Sequence, residues 1–242
     1  MKFKEFIDRA LFYISVPVCV CCKERMPYTD KPLCEKCLSE YNKVIKRNCS
    51  LCAKDLNQCM CSNEYLSSHY VKRLTKVYRY VPDDDLPTNA LIYSLKRDNR
   101  QDVVNFLTDQ LYNSIINTIE NPSDCIFTNV PRKKSSVIKY GMDHAERLSR
   151  AVAKKFGAIH MKLLESEADK QQKHLGTRER VLNAKFKLIK NAPDLKGKRI
   201  IIVDDIVTTG ATMGACAFLI RGLGTKMIQG ATISIAYKDS QT

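Results

Sequence analysis

Residues 199–213 read RIIIVDDIVTTGATM, and no other stretch constrains the fold of this chain as strongly. Ile200 to Val203 are four consecutive β-branched residues, the signature of a short buried strand rather than of an amphipathic helix. Asp204 and Asp205 stand at its carboxyl end, and Ile206 to Gly210 read as a turn into a helix beginning near Thr212. The neighbouring segments suit such a strand. HYVKRLTKVYRYV predicts one strand or two, LPTNALIYSLK and DVVNFLTDQLYNSIINTI predict helices, and DCIFTNV is a short strand closed by Pro131. A helix from His144 to about Phe156, a strand near 158–164, a polar basic stretch over 165–183, a helix ended by Gly222 and Gly224, and a strand in MIQGATISIAY complete the pattern. Strands alternating with helices imply an α/β fold with a mostly parallel sheet.

The carboxyl edge of such a sheet is where ligands bind. Thr208, Thr209, Gly210, Ala211 and Thr212 offer hydroxyls and successive main-chain N–H groups before a helix N-terminus, which are the parts of a phosphate cradle. Two carboxylates beside a phosphate repel it unless sugar hydroxyls or a divalent cation intervene. The implied ligand is a ribose 5-phosphate unit with Mg²⁺. A Walker B strand would need a G-x-x-x-x-G-K-[ST] partner, which is absent, and Gly222-Leu-Gly224 follows a helix and lacks the third glycine of a dinucleotide fingerprint. A phosphoacceptor aspartate would leave the threonine run unexplained.

Nine of the eleven cysteines lie between residues 19 and 61. Cys19, Cys22, Cys34 and Cys37 form one set with C-x2-C spacing, the pairing of a four-thiolate structural zinc. Cys49, Cys52, Cys59 and Cys61 form a second, whose C-x-C end demands a tighter loop. Cys21 is an alternative to Cys19 as ligand. Disulfides and an iron–sulfur cluster are the competing readings. The first suits a reducing compartment poorly, and no redox motif accompanies the second. A module so poor in apolar residues would draw much of its folding free energy, on the order of 10 kcal/mol, from bound metal. Cys125 and Cys216 sit in apolar runs as small core residues. The composition shift places a boundary near residue 66, giving an N-terminal helix and zinc-ribbon domain over 1–65 and a larger domain over 66–242.

Charge narrows the partners. The chain carries a formal net charge of +14, and residues 129–190 hold 16 basic against 6 acidic side chains. That field favours polyanions such as nucleic acid or phosphorylated metabolites, the alternative being a solvated lysine-rich face. Glu5, Asp8 and Arg9 break any signal-like run, Phe3 to Ile14 fall at helical spacing, and no eighteen-residue apolar run exists, so a cytoplasmic protein without membrane insertion is expected.

The strand followed by DDIVTTGAT resembles the 5-phosphoribosyl-1-pyrophosphate (PRPP) signature of type I phosphoribosyltransferases. With the cysteine-rich front end, the chain resembles the ComF family of competence-associated, phosphoribosyltransferase-like proteins. LIYSLKRDNR, NVPRKKSSVIKYGMDHAERLS and KQQKHLGTRERVLNAKF extend the resemblance over nearly the whole chain. It implies a sheet of the type I phosphoribosyltransferase kind behind a double zinc ribbon. It also implies that Asp204 and Asp205 hold the ribose hydroxyls and, through them, Mg²⁺. Thr208 to Thr212 would take the 5-phosphate, and Arg132 and Lys133 would face the pyrophosphate, with Lys96 adding to that anion site. Single-stranded DNA and competence-machinery proteins are the further partners it implies, through DNA uptake or nucleotide-related metabolism. Where relatives show Arg-Gly-Phe-Asn-Gln, this chain has Tyr140-Gly141-Met142-Asp143-His144, so an arginine is missing beside the glycine. His144 is a candidate general base, but a histidine at a helix start is more often a cap or surface residue, and that is the expectation for it. Tyr140 and Phe186 are candidate base-stacking aromatics, with core residues as the alternative, and residues 165–190 are a basic flap over the site or a nucleic-acid contact.

Overall fold

The computed structural model describes residues 16–27, 29–81, 86–98, 100–133, 135, 137, 138, 141–166 and 186–236. The helix expected over residues 3–14 lies outside them, as do Tyr140 and most of the basic stretch. In chain order the elements are α1 (Glu35–Ile45), α2 (Glu64–Ser68), β1 (Val71–Arg79), α3 (Pro87–Arg97), α4 (Gln101–Ile115), β2 (Cys125–Asn129) and α5 (His144–Phe156). They continue with β3 (Ile159–His160), β4 (Leu164–Ser166), β5 (Phe186–Leu188), β6 (Arg199–Val207), α6 (Ala211–Arg221) and β7 (Met227–Ile235). HYVKRLTKVYRYV thus yields a single strand. The expected strand over 158–164 divides: β3 joins the main sheet, while β4 pairs antiparallel with β5 in a two-stranded sheet of its own.

Five strands form the main sheet in the order β1-β7-β6-β2-β3, every neighbouring pair parallel. The route through α5 carries the chain from β2 outward to β3, whereas the route through α6 carries it from β6 the opposite way to β7. Right-handed crossovers in opposite directions put the two helices on opposite faces. The strand residues divide to match. Ile201 and Val203 join the core that holds residues of α3, α4 and α5, while Ile200 and Ile202 join the core that holds residues of α6. All four are fully buried, which explains why the segment shows no polar alternation. The strand order reverses between β2 and β6, so their carboxyl ends define the crevice where a ligand can enter between diverging helices.

The cysteine-rich region is packed into both cores. Cys19, Cys37 and Tyr41 belong to the α3–α5 side, with the Tyr41 ring edge-on to Tyr78 and Phe106. Cys49, Leu56, Cys59 and Leu66 belong to the α6 side. On that side Gly230 of β7 is dictated by close packing, since a Cβ there would lie 2.6 Å from Met213 Sδ and 2.8 Å from Leu74 Cδ1. Gly230→Ala is therefore expected to destabilise the fold by about 1–3 kcal/mol through overpacking, read as a lowered urea midpoint.

Candidate functional site

β6 runs two residues past the acidic pair, to Val207, so Asp204 and Asp205 lie within the paired part of the strand rather than beyond it. Successive strand residues face opposite sides, and the two carboxylates have different surroundings. Asp205 is nearly buried and faces α3, with Lys96 Nζ and Arg132 Nη2 each 3.3 Å from its Oδ2. Its Oδ1 accepts the N–H of Ile206 at 2.8 Å. Asp204 is half-buried and accepts the N–H of Asp205 at 2.9 Å. Burial, followed by the charge of Asp205, holds the Asp204 carboxyl well above the usual carboxylate range. Asp205, Arg132 and Lys96, drawn from β6, the loop after β2 and the last turn of α3, are thus brought together. Lys133 is exposed next to Arg132.

The threonine loop follows β6 directly. Thr208, Thr209 and Thr212 are exposed, and Gly210 is buried with φ +85°, a conformation that favours glycine. Gly210 is the N-cap of α6, so the helix starts at Ala211, one residue earlier than the sequence predicts. The loop backbone therefore meets a helix N-terminus at the carboxyl edge of the sheet, the arrangement that binds anions.

The loop after β2 is fastened by Asp143. Its Oδ2 accepts the main-chain N–H of Arg132 at 3.0 Å and Asn129 Nδ2 at 3.4 Å, and its Oδ1 caps α5 through Glu146 N at 3.1 Å. Burial still raises the Asp143 carboxyl above its ordinary range. His144 is neither cap nor surface residue as expected: it is 1% exposed, and burial lowers its pKa, helped by the charge of Arg132. Phe186 is likewise core, not a surface stacking ring. Beside Arg132 opens a cleft of about 400 Å³ lined by Asn129, Pro131, Asp143, Leu164 and Glu165 among others. Asn129 and Asp143 carry no motif of their own and were missed by sequence reasoning. The signal was an Asp one residue before an amphipathic helix.

Both cysteine sets assemble. The sulfurs of Cys19, Cys22, Cys34 and Cys37 lie within 4.8 Å of one another, as do those of Cys49, Cys52, Cys59 and Cys61. A tetrahedral Zn²⁺ with bonds of about 2.3 Å requires sulfur–sulfur edges of about 3.8 Å, and Cys22–Cys34 at 3.7 Å and Cys52–Cys59 at 3.5 Å are close to that. So tight a cage suits one ion better than a larger iron–sulfur cluster. Cys21 stands outside the cage, and all eleven cysteines are free thiols.

The two cages share one knuckle. In each, the N–H of the residue that follows the C-x2-C pair donates to the carbonyl of the pair's first cysteine: Lys23 N to Cys19 O at 3.1 Å, and Ala53 N to Cys49 O at 2.8 Å. Both Lys23 and Ala53 take left-handed backbone, at φ 63° and 56°. Burial opposes ionisation of Cys19, but main-chain hydrogen bonds from Cys34, Cys22 and Cys21 outweigh it and bring its pKa to about 7. A hydrogen bond from the Lys54 main chain brings Cys52 to about 7, whereas burial pushes Cys61 up to about 12. One sulfur in each cage is thus eased toward its thiolate, whereas Cys61 is held protonated until a metal displaces the proton.

Part of the chain matches a known family. Residues 141–241 match the phosphoribosyl transferase domain family. The matched phosphoribosyl transferase domain takes in α5, β6, the threonine loop, α6 and β7. The sheet is accordingly a mostly parallel one of the type I phosphoribosyltransferase kind, with the cysteine-rich unit in front. A ribose-phosphate pyrophosphokinase of Thermococcus kodakarensis is 57% identical over 35 residues, 14% of this chain and 12% of that relative. Among solved structures, an adenine phosphoribosyltransferase of Saccharomyces cerevisiae is 19% identical with a TM-score of 0.38, covering 65% of this chain and 81% of that one. A purine phosphoribosyltransferase of Pyrococcus horikoshii is 17% identical with a TM-score of 0.35, covering 57% and 89%.

Elemental analysis of the purified protein is expected to give close to two zinc ions per chain. Cys52→Ser is expected to leave one, because three thiolates bind the ion far less tightly than four; unchanged zinc in that variant would contradict the second cage.

Proposed function

We propose that the chain binds PRPP with Mg²⁺ at the carboxyl ends of β2 and β6 and transfers the phosphoribosyl group to an acceptor seated in the cleft beside Arg132. The observation that carries this reading is the meeting of a strand-end acidic pair, an exposed threonine loop at a helix N-terminus and two cations at a strand-order reversal, within and beside the matched domain. The loop of Thr208 to Thr212 would receive the 5-phosphate through main-chain N–H groups and hydroxyls. Charge-assisted hydrogen bonds of this kind contribute roughly 1.5–3 kcal/mol each, so a few fix one phosphate. Asp204 and Asp205 would accept from the ribose hydroxyls.

Arg132, with Lys133 and Lys96, would face the pyrophosphate. An acceptor lone pair forms the new bond to the anomeric carbon, the carbon–oxygen bond to pyrophosphate breaks, and pyrophosphate leaves with that electron pair while the acceptor loses its proton to solvent. Mg²⁺, when bound, would supply further neutralisation of the leaving group. The contribution of this chain's own residues is to place positive charge where negative charge develops.

The finer reading, a competence-associated protein that handles single-stranded DNA, is favoured by one surface. Tyr70 and Phe218, 38% and 47% exposed, approach with ring centroids 6.3 Å apart, and the Arg221 guanidinium lies 4.3 Å from the Tyr70 ring. Lys72 and Arg73 are exposed alongside. Aromatic rings amid cations stack bases with little sequence preference. Titration with a fluorescent oligonucleotide is expected to show affinity falling steeply with salt and weakened by Tyr70→Ala with Phe218→Ala, and salt-indifferent binding would remove this reading.

Two further outcomes test the principal proposal. Calorimetry is expected to show Mg²⁺-dependent PRPP binding in the wild type and none in the double variant Asp204→Asn with Asp205→Asn; equal binding in both would overturn the assignment. Because the folded-state pKa of Asp204 is raised, its ionisation opposes folding above the unfolded-state pKa, and the cost is relieved as pH falls. Asp204→Asn alone is therefore expected to raise the urea midpoint at neutral pH while weakening PRPP binding. In the wild type, PRPP affinity is expected to drop as pH falls into the window above the ordinary carboxylate value of about 4, where Asp204 takes up a proton.

A further inference from the structure

The second cysteine cage and the threonine loop are joined by a few residues that touch both. The Cys59–Cys61 end of the cage is laid along β1: Leu74 N donates to Met60 O at 3.1 Å, and Lys76 Nζ, on a side chain 2% exposed, donates to Cys61 O at 2.6 Å. Immediately downstream, Asn63 caps α2, its Oδ1 accepting from Leu66 N at 2.8 Å. The other half of the same amide reaches the loop, where Asn63 Nδ2 donates to the carbonyl of Thr209 at 3.1 Å. Leu66, 0% exposed, fills the space behind Gly210, where a Cβ would fall 2.5 Å from Leu66 Cγ. One turn into α6 the same helix presses again: a Cβ on Gly214 would lie 3.0 Å from Tyr65 Cε1 and 3.1 Å from His69 Cβ.

These contacts fix the direction of a loop peptide. In a trans peptide the C=O and the following N–H point opposite ways. Holding the Thr209 carbonyl toward α2 therefore turns the Gly210 N–H away from α2, toward the side left open for an anion. A five-residue helix has no stability of its own, so α2 depends on its cap, on Leu66 and on the fastened cysteine strand before it. We propose that Asn63 and Leu66 are positioning residues for the phosphate loop, and that metal held by Cys49, Cys52, Cys59 and Cys61 controls how firmly that loop is formed. The inference rests on the reading of the loop as the seat of the PRPP 5-phosphate. The second cage then works as a support for ligand binding in addition to its part in folding.

The test uses the zinc-loaded full chain and Asn63→Ser, in which serine keeps the α2 cap but its side chain is too short to reach Thr209. Loss of one such hydrogen bond is expected to weaken Mg²⁺-PRPP binding about fivefold by calorimetry, with zinc content and melting temperature at wild-type values. Amide hydrogen exchange at residues 209–213 is expected to quicken in parallel. Leu66→Val, which trims the contact behind Gly210, is expected to act in the same direction. Cys52→Ser should expose the same amides, whereas Cys22→Ser, in the other cage, should leave them protected. Wild-type exchange and wild-type affinity in Asn63→Ser would overturn the positioning role. If the wild-type chain itself shows no PRPP binding, the ligand reading falls, and the exchange at 209–213 alone decides whether α2 holds the loop.

Discussion

The nearly buried carboxylate of Asp205, held between Lys96 and Arg132, is the interaction on which the ligand-binding edge depends. A charge taken out of water is tolerable only when opposite charges and donors meet it, and three segments distant in sequence converge to do so. α3 delivers the lysine from its last turn, β2 delivers the arginine from the loop beyond its end, and β6 supplies the acid and its own main-chain donor. The arginine's backbone is in turn held by Asp143 at the start of α5. One electrostatic requirement thus fixes the relative positions of α3, α5 and the β2 loop. On the proposed reading, a pyrophosphate arriving there would meet cations already oriented, so little reorganisation would accompany binding.

The topology explains why the metal cages are where they are. Opposed crossovers put α5 and α6 on opposite faces of the sheet, and each face must be covered as far as the edge strand β1. The two cages divide this covering between them, the first joining the core beneath α3–α5 and the second the core beneath α6. Few apolar side chains are available in residues 16–61 to do this alone. A four-thiolate ion in each cage would replace them, stiffening the segment that lies against each face.

Legibility followed the range of the interaction. The run Ile200 to Val203 announced a strand because its burial on both faces leaves a local mark, and the C-x2-C pairs announced cages because metal geometry fixes spacing. The turn from β6 into α6 was legible too, because a glycine after the apolar run marks it locally. The short helix α2 was not, since Glu64 to Ser68 is too brief to show a period, although Asn63 is a proper N-cap. His144 was misjudged because its burial comes from tertiary packing, which nothing near it in sequence encodes. β3 and β4 merged into one expected strand because the break between them reflects a change of sheet, a tertiary event. The Asp205 cluster lay beyond reach in detail: the motif supplied each member, but not that Arg132 and Lys96 share one oxygen.

Gly210 shows how one residue can answer to two constraints. Its left-handed backbone and its place at a helix N-terminus are sufficient grounds for glycine in any anion-binding turn. In this chain a second ground comes from outside the loop, because Leu66 occupies the volume a side chain would need. The first constraint is local and belongs to the turn, while the second is tertiary and belongs to the cysteine-rich unit. Where both fall on the same atom, the shape of the loop cannot change without disturbing the packing of α2. The disturbance is passed on to the strand that carries Cys59 and Cys61. On the proposed reading, metal binding and ligand binding would draw on the same packed contact, and by reciprocity whatever firms one would firm the other.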